Sequence, residues 1–455
     1  MNLSGKKALV AGTGISGIAA AKLLMDDDVA VILYDENEQL STEDVRGRFG
    51  NLAPEEMIFG PFPNARAEEI GLAVLSPGIP TDQPFVQGLR AAGVPIWGEI
   101  ELAAHYARGQ MVAITGTNGK TTTTALVGEI MRHYFDSVFV VGNIGVPYTQ
   151  MAPETTDQSV TVAEISSFQL ETVVDFHPHV SAILNITPDH LNRHYTMENY
   201  ANAKFSIAKN QTLDDVCVLN YDNELTRAFG ERCPARVVYF SRTQKLERGI
   251  YLADDNDTIL QCEAGREIPV CQMSRSNLLG AHNVENVMAA VGMALAMNVP
   301  PDVIAEAVSC FQAVEHRIEF VREIGGVAYY NDSKGTNTDA AIKGIEAMVR
   351  PTVLIAGGYD KHSTYDEWLA ACEGKVKALL LIGQTAPAIA KAAKAYRFPK
   401  VEILESLREA VNQAALCAQQ GDAVLLSPAC ASWGMFKNYE ERGTLFKEYV
   451  NGLRE

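Results

Sequence analysis

The sequence predicts an α/β protein of three successive domains built on mostly parallel sheets, and three observations predict it. Short continuous apolar runs alternate with helical segments, as they do where strands are covered on both faces. The series starts afresh twice, after Gly93-Val94-Pro95 and after His316-Arg317. The length of 455 residues accommodates about three domains at roughly 150 residues each. A content of 47% hydrophobic and 21% charged residues suits several buried cores and does not suit a disordered chain. The boundaries are expected near residues 97 and 313, giving segments 1–97, 98–313 and 314–455.

In the first segment, residues 7–11, 29–34 and 72–75 read as strands and 15–25 as a helix. Lys6-Lys7 ahead of a small, apolar stretch imitates a secretory leader, but the glycine spacing and Asp26-Asp27-Asp28 fit strand, turn and helix better. In the second, 111–114 is strand-like and 121–134 helical, because Leu126, Ile130 and Tyr134 recur every four residues with Val127 and Met131 beside them. Strands follow at 137–141, 160–164 and 181–186, and 216–270 reads as short strands joined by polar turns. In the third, 352–356, 378–382, 401–404 and 423–426 are buried-strand candidates. The longest uncharged apolar run, 287–297, is too short to cross a bilayer as a helix.

With 38 Lys+Arg against 56 Asp+Glu, the net charge of −18 argues against nucleic acid or an anionic membrane as partner and leaves small molecules. Eight scattered cysteines without a CxxC pair suit neither a zinc site nor a disulfide framework and fit a reducing, cytoplasmic compartment.

Gly12-Thr13-Gly14-Ile15-Ser16-Gly17 matches GxGxxG between a strand and a helix, and Asp35 closes the next strand. Small residues let the backbone approach a pyrophosphate at a helix N-terminus, where N–H groups and the dipole favour anions, and Asp35 can receive a ribose hydroxyl. NAD fits this pattern, as does any nucleotide diphosphate, and so does a tight turn without ligand. Gly116-Thr117-Asn118-Gly119-Lys120-Thr121 follows a strand and opens a helix. It is two residues shorter than GxxxxGK[ST], yet its N–H groups still face inward, Lys120 can reach a β- or γ-phosphate, and the Thr121 hydroxyl can sit on Mg²⁺.

Further polar positions stand at strand ends, where open α/β sheets carry their sites. Alone, Glu164 reads as a solvated or N-capping carboxylate and His190 as a surface histidine; beside a phosphate loop they become metal-ligand candidates. Tyr200 and Lys204 lie at i and i+4 on a helix, and Lys204 by default is a solvated lysine or a phosphate contact. Asn283 is either a helix cap or a ligand contact. The runs His316-Arg317, Tyr330 to Asn337, Asp360-Lys361 and Ser427 to Ser432 together suggest a small-molecule pocket.

Ten short motifs stand in order from end to end: GTGISG at 12, SPGI at 76, TGTNGKTT at 115, GNIG at 142, EISSFQL at 164, TPDHLNRH at 187, NLLGAHNVEN at 277, EHR at 315, NDSKGTN at 331 and SPACAS at 427. On these the chain resembles the Mur ligase family, most specifically its D-glutamate-adding branch. The resemblance implies an N-terminal Rossmann-like domain for a UDP group, a central P-loop ATPase-like domain, and a C-terminal Rossmann-like domain that brings the amino acid. It implies ATP-dependent amide formation for peptidoglycan precursors, and hence for cell-wall growth, shape and division. The L-alanyl carboxylate of UDP-N-acetylmuramoyl-L-alanine takes the γ-phosphoryl group, and the D-glutamate amine then displaces phosphate.

By the same resemblance Gly116, Thr117, Asn118, Gly119, Lys120, Thr121 and Thr122 hold ATP, Thr121 and Glu164 hold one Mg²⁺, and His190 ligates a second. Lys204 matches a lysine that the family carbamylates, which supplies anionic oxygens near the metal. Lys120, Glu164, His190 and Lys204 are therefore the expected catalytic group. Gly14, Ile15, Ser16, Gly17, Asp35, Ser76, Pro77 and Gly78 are expected at the UDP substrate, with Asn143 and Gln169 near its muramoyl group or a metal-bound water. Asn283, Arg317 and Asp332 resemble adenine, phosphate and ribose contacts. Lys334, Thr336, Lys361, Ser432 and Tyr439 resemble positions around the D-glutamate carboxylates, which lysines and hydroxyls suit.

Two departures stand out: Trp433-Gly434-Met435-Phe436 lacks the acid that the family carries before its aromatic, and Tyr439 replaces a phenylalanine. A monomer is expected, without nucleic acid or membrane. The competing readings are a sibling ligase for L-alanine or a diamino acid, a folylpolyglutamate synthetase, a silent binding protein and an NAD-dependent oxidoreductase. No DNPR-like run supports a diamino-acid ligase, and the oxidoreductase leaves TGTNGKTT idle.

Overall fold

A computed structural model describes residues 3, 5–312, 314–359 and 364–453. The first sheet contains β1 (Lys7–Ala11), β2 (Val31–Asp35), β3 (Glu56–Phe59), β4 (Ile70–Leu75) and β5 (Ile96–Gly98), all parallel, in the order β3-β2-β1-β4-β5. The stretch that imitated a leader forms β1 and the helix Ile15–Asp26, whose Ile18, Ala20, Ala21 and Leu24 pack on one face of the sheet. Winding reverses between β1 and β4, so the turns leaving these strands meet at the C-terminal edge, where ligands of such sheets bind. The Ser76 N–H donates to the Ala11 carbonyl at 2.9 Å there. Strands β3 and β5 escape a sequence reading because they are short flanking strands whose apolar runs, Met57 to Phe59 and Ile96-Trp97, are only two or three partly buried residues long.

The second sheet holds β6 (Gln110–Thr115), β7 (Val138–Gly142), β8 (Val160–Glu164), β9 (Val180–Ile183), β10 (Val216–Asn220), β11 (Arg236–Ser241), β12 (Gly249–Leu252), β13 (Thr258–Glu263) and β14 (Arg266–Gln272). Its order is β14-β13-β12-β11-β10-β9-β6-β8-β7, parallel except for the antiparallel pairs β12–β13 and β13–β14. The helix after β6 spans Lys120–Arg132 and buries Leu126, Val127, Ile130 and Met131 completely. Tyr134 does not share that face: it is 48% exposed, past a last turn in which its N–H bonds to the Met131 carbonyl. Strand β9 stops at Ile183 rather than 186, and a helix, Glu224–Gly230, interrupts the expected run of strands with Asn223 as its cap. Both sheets lie in one compact unit, up to Met273 together with Glu285–Ser309.

The second unit comprises Ser274–Val284 and the chain from Cys310 on. Its sheet contains β15 (Glu319–Ile324), β16 (Val327–Asn331), β17 (Thr352–Ala356), β18 (Val376–Leu381), β19 (Val401–Ile403) and β20 (Ala423–Leu426), ordered β15-β16-β20-β17-β18-β19. All pairs are parallel except β15–β16, and apolar clusters cover both faces. Because β20 lies between β16 and β17, the loops leaving these three strands converge. The Asp332 N–H donates to Leu426 at 2.7 Å and the Gly357 N–H to Pro428 at 2.9 Å. Among the described residues no helix is long and apolar enough to cross a membrane.

Candidate active site

Strand β6 delivers the phosphate loop to the N-terminus of the helix Lys120–Arg132, whose first turn offers N–H groups and the positive end of the helix dipole. Gly119 caps it at φ +85°, and a Cβ there would stand 2.2 Å from Asn286 Oδ1, so side chains are excluded on both counts. Asn185 moulds the loop: its Oδ1 accepts from the Asn118 N–H at 2.8 Å, its carbonyl from the Thr117 N–H at 2.9 Å, and its amide donates to the Asn118 carbonyl at 3.1 Å. The main chain beyond β9 thus stays bonded to the chain leaving β6 while the Asn185 side chain holds the loop. The Thr117 hydroxyl accepts from the Thr187 N–H at 3.0 Å and lies 3.1 Å from the Tyr200 hydroxyl. The Lys120 ammonium donates back to the Gly116 and Thr117 carbonyls, both at 2.9 Å. Thr121 and Thr122 are buried on the first helical turn.

Glu164, at the end of β8, pairs in register with Ile114 of β6, which brings it beside the loop. It is neither solvated nor a cap: it is 2% exposed, its Oε1 accepts from Asn143 Nδ2 at 2.8 Å, and its Oε2 is buried without a hydrogen-bond partner. A buried carboxylate oxygen left unpaired is costly, and a hard cation is the partner that suits it. The donor set therefore fits Mg²⁺.

Lys204 overturns the default of a solvated lysine. It lies on the helix Met197–Phe205 with 1% exposure, donates to the Gly116 carbonyl at 2.8 Å and sits 4.7 Å from the centre of the Tyr200 ring. Burial, with Lys120 nearby, pushes its ammonium well below the usual lysine range. The Tyr200 ring face favours the charged form, but burial is the larger effect. His190 is half-exposed at φ +51°, with Nε2 3.5 Å from Asp189 and its ring edge against Phe168 at 4.9 Å. Among the described residues the three-ligand cluster with metal-binding spacing is Glu101, His105 and Asp175, and it includes none of the expected ligands. There Glu101 accepts the N–H groups of Val174, Asp175 and Phe176, which is a structural role.

Arg193 of the motif at 187 and Tyr195 just after it reach the loop that follows β4: Arg193 donates to the Ile79 carbonyl at 2.9 Å and also to Glu171 at 2.7 Å, and Tyr195 donates to Asp82 at 2.6 Å. In the GxGxxG turn, Asp35 accepts the Thr13 N–H at 2.9 Å and hydroxyl at 2.8 Å, and the Asn37 N–H at 3.1 Å. Ser76 Oγ is buried there without a hydrogen-bond partner, Pro77 and Gly78 follow it, and Ile15 is 78% exposed beside Gly14. A cavity of about 460 Å³ opens along Thr13, Gly14, Ile15, Lys22, Arg48 and Gln150. Ser16 and Gly17 are on the first turn of the helix, and Gln169 closes a capping box by accepting the Ser166 N–H at 2.9 Å.

In the second unit Asp332 is buried, accepts the Ser427 hydroxyl at 2.7 Å, and is pushed up to about 7 by burial, against that bond and the pull of Arg317. Asn283 does not cap: the helix begins at Ala281, and the Asn283 amide donates to the Leu279 carbonyl at 2.7 Å from the first turn. The Lys334 ammonium lies 5.5 Å from the centre of the Tyr439 ring, and Thr336 follows with its N–H on the Lys334 carbonyl. Ser432 is buried on the converging loop after β20. Lys361 lies outside the described residues. Gly434 adopts φ +85°, a left-handed conformation that glycine takes without strain. Asn185 and Arg442, both tied into the loops, carried no sequence signal beyond ordinary polarity.

Residues 6–98 match the family described as Mur ligase MurD-like, N-terminal domain; 114–294 match Mur ligase middle domain; and 316–430 match Mur ligase, glutamate ligase domain. The UDP-N-acetylmuramoylalanine--D-glutamate ligase of Lachnoclostridium phytofermentans is 53% identical over 455 residues, covering 100% of both chains. The chain belongs to the Mur ligase family. The ligase of the same name from Clostridioides difficile is 44% identical over 100% of both chains. The Mur ligase fold recurs in UDP-N-acetylmuramate-alanine ligase MurC of Thermotoga maritima, 18% identical over 98% of this chain and 99% of that one with a TM-score of 0.60. It recurs in the MurF ligase of Thermotoga maritima in complex with ADP, 13% identical over 99% of both chains with a TM-score of 0.59.

Proposed function

We propose that this Mur ligase joins D-glutamate to UDP-N-acetylmuramoyl-L-alanine with hydrolysis of ATP to ADP and phosphate. The observation that carries the reading is the phosphate loop beside the buried, half-satisfied carboxylate of Glu164. The full-length likeness to ligases of that specificity supports the choice of substrates.

The L-alanyl carboxylate oxygen attacks the γ-phosphorus, the bond to the bridging oxygen of ADP breaks, and the D-glutamate amine then attacks the acyl carbon. Phosphate leaves and the amine loses a proton. Lys120 must exchange the Gly116 and Thr117 carbonyls for phosphate oxygens, and it then offsets the charge spread over the transferring group. Thr121 and Glu164 would hold one Mg²⁺ and His190 a second; when bound, the metal neutralises phosphate charge. Lys204 would add CO₂ at Nζ, releasing one proton, to become a carbamate. That addition requires an uncharged amine, which its burial favours. In this reading Gly14, Ile15, Ser16, Gly17, Asp35 and the Ser76 to Gly78 turn receive the UDP group. Asn283, Arg317 and Asp332 serve the nucleoside triphosphate, and Lys334, Thr336, Lys361, Ser432 and Tyr439 serve the amino acid. With it go three domains divided at 97 and 313, a monomer and cytoplasmic action.

The test is phosphate release from ATP with UDP-N-acetylmuramoyl-L-alanine and a panel of amino acids. Turnover is expected with D-glutamate and not with L-glutamate, L-alanine or meso-diaminopimelate, and Lys120→Met should abolish it. Turnover restricted to another member of the panel, or a fully active Lys120→Met, overturns the reading.

A further inference from the structure

Arg442 stands on the helix Tyr439–Asn451 with no exposure at all. Its Nε donates to Ser333 Oγ at 3.0 Å, its Nη2 to the Ser333 carbonyl at 2.8 Å and its Nη1 to the Cys430 carbonyl at 3.3 Å. Ser333 in turn donates its hydroxyl to the Tyr439 carbonyl at 2.8 Å. One guanidinium thus fastens three segments: the loop after β16 that carries Lys334 and Thr336, the loop after β20 that carries Ser432, and the helix entry at Tyr439. Among the described residues no carboxylate accepts a hydrogen bond from it. Its acceptors are two carbonyls and a hydroxyl, and the buried Asp332 carboxyl attracts it electrostatically without a hydrogen bond. A buried cation held that way costs stability, and a hydrophobic replacement of similar size is the common alternative in cores.

We infer that Arg442 is a positioning residue for the amino-acid subsite, setting the spacing of Lys334, Thr336, Ser432 and Tyr439 and lending positive potential to a pocket that receives a dicarboxylate. This rests on the proposed function. A planar fork is what the task requires, since it spreads its donors over three acceptors on two loops, a span that the point-like ammonium of a lysine does not match.

The experiment is steady-state kinetics on the full chain with each substrate varied in turn. Ser333→Ala removes only the Nε bond and the tie to Tyr439, and is expected to raise KM for D-glutamate about fivefold while KM for ATP stays within twofold. Arg442→Met should raise it tenfold or more, and Arg442→Lys, which keeps the charge, should fall between. A uniform rise in both KM values, or an unchanged D-glutamate KM in Ser333→Ala and Arg442→Lys, overturns the inference. If the Arg442 variants do not fold, Ser333→Ala decides alone. Absence of D-glutamate turnover in the unmodified chain would instead overturn the proposed function, which separates the two failures.

Discussion

Lys204→Met separates a catalytic lysine from a structural one. The substitution keeps the length of the side chain and removes the amine. It deletes the 2.8 Å bond to Gly116, worth about 0.5–1.5 kcal/mol net, and the Tyr200 ring contact, worth roughly 0.5–2 kcal/mol. The Gly116 carbonyl is not orphaned, because Lys120 still donates to it at 2.9 Å. Against these losses stands the relief of the desolvation imposed on an amine 1% exposed beside the Lys120 ammonium, a burden that the Asp189 and Glu164 carboxylates offset only in part. The balance predicts a melting temperature no lower than that of the unmodified chain. Phosphate release should nevertheless fall about 10²- to 10³-fold, the usual effect of removing one aligned electrostatic group. Thermal denaturation and coupled phosphate release, measured on the same preparation, test both halves. A variant that melts several degrees lower, or one that retains full activity, refutes the reasoning.

Glu164→Gln should keep the fold, since the amide can still accept from Asn143, while Mg²⁺ titrations of phosphate release shift to at least tenfold higher metal; an unchanged metal dependence would remove Glu164 from the metal site. Gly119→Ala should cost about 1–2 kcal/mol for the left-handed backbone alone, plus displacement of Asn286, read as a lower denaturation midpoint and lost ATP binding. Asp332→Asn tests the buried carboxyl. Its folded value near 7 stands above the ordinary 3.8, so the folded state keeps a proton the unfolded state has released. Its stabilising share is therefore complete below about pH 4 and is lost as pH rises to about 7. The variant should gain on the unmodified chain across that window, by up to about 4 kcal/mol at roughly 1.4 kcal/mol per unit, and the gap should be flat above it; a flat difference from pH 4 upward would contradict the burial argument.

The periodic and continuous apolar runs were legible because they record burial directly. Strands β1, β8, β17 and β20 begin and end where the residues predict, as every position in them is buried or nearly so. Strands β3 and β5 were not legible, being short and partly covered. The phosphate loop announced itself through glycines and a lysine at a strand-to-helix junction, but its supports did not. Asn185, Tyr200 and Arg442 act through bonds to residues 67 to 109 positions away, and no local pattern encodes such a partner. The burial of Lys204 is likewise a tertiary fact: in the sequence it is one more lysine on a polar helix, and only the packing of that helix under Gly116 removes it from water.

The Gly116 carbonyl, which accepts hydrogen bonds from both Lys120 and Lys204, makes two chemically separate events answer to each other. Any ligand that draws one amine off that oxygen alters the hold on the other, and linkage requires the influence to run equally in reverse. Under the proposed reaction, nucleotide affinity and the chemical state of the inner lysine would thereby be joined through one atom of the main chain.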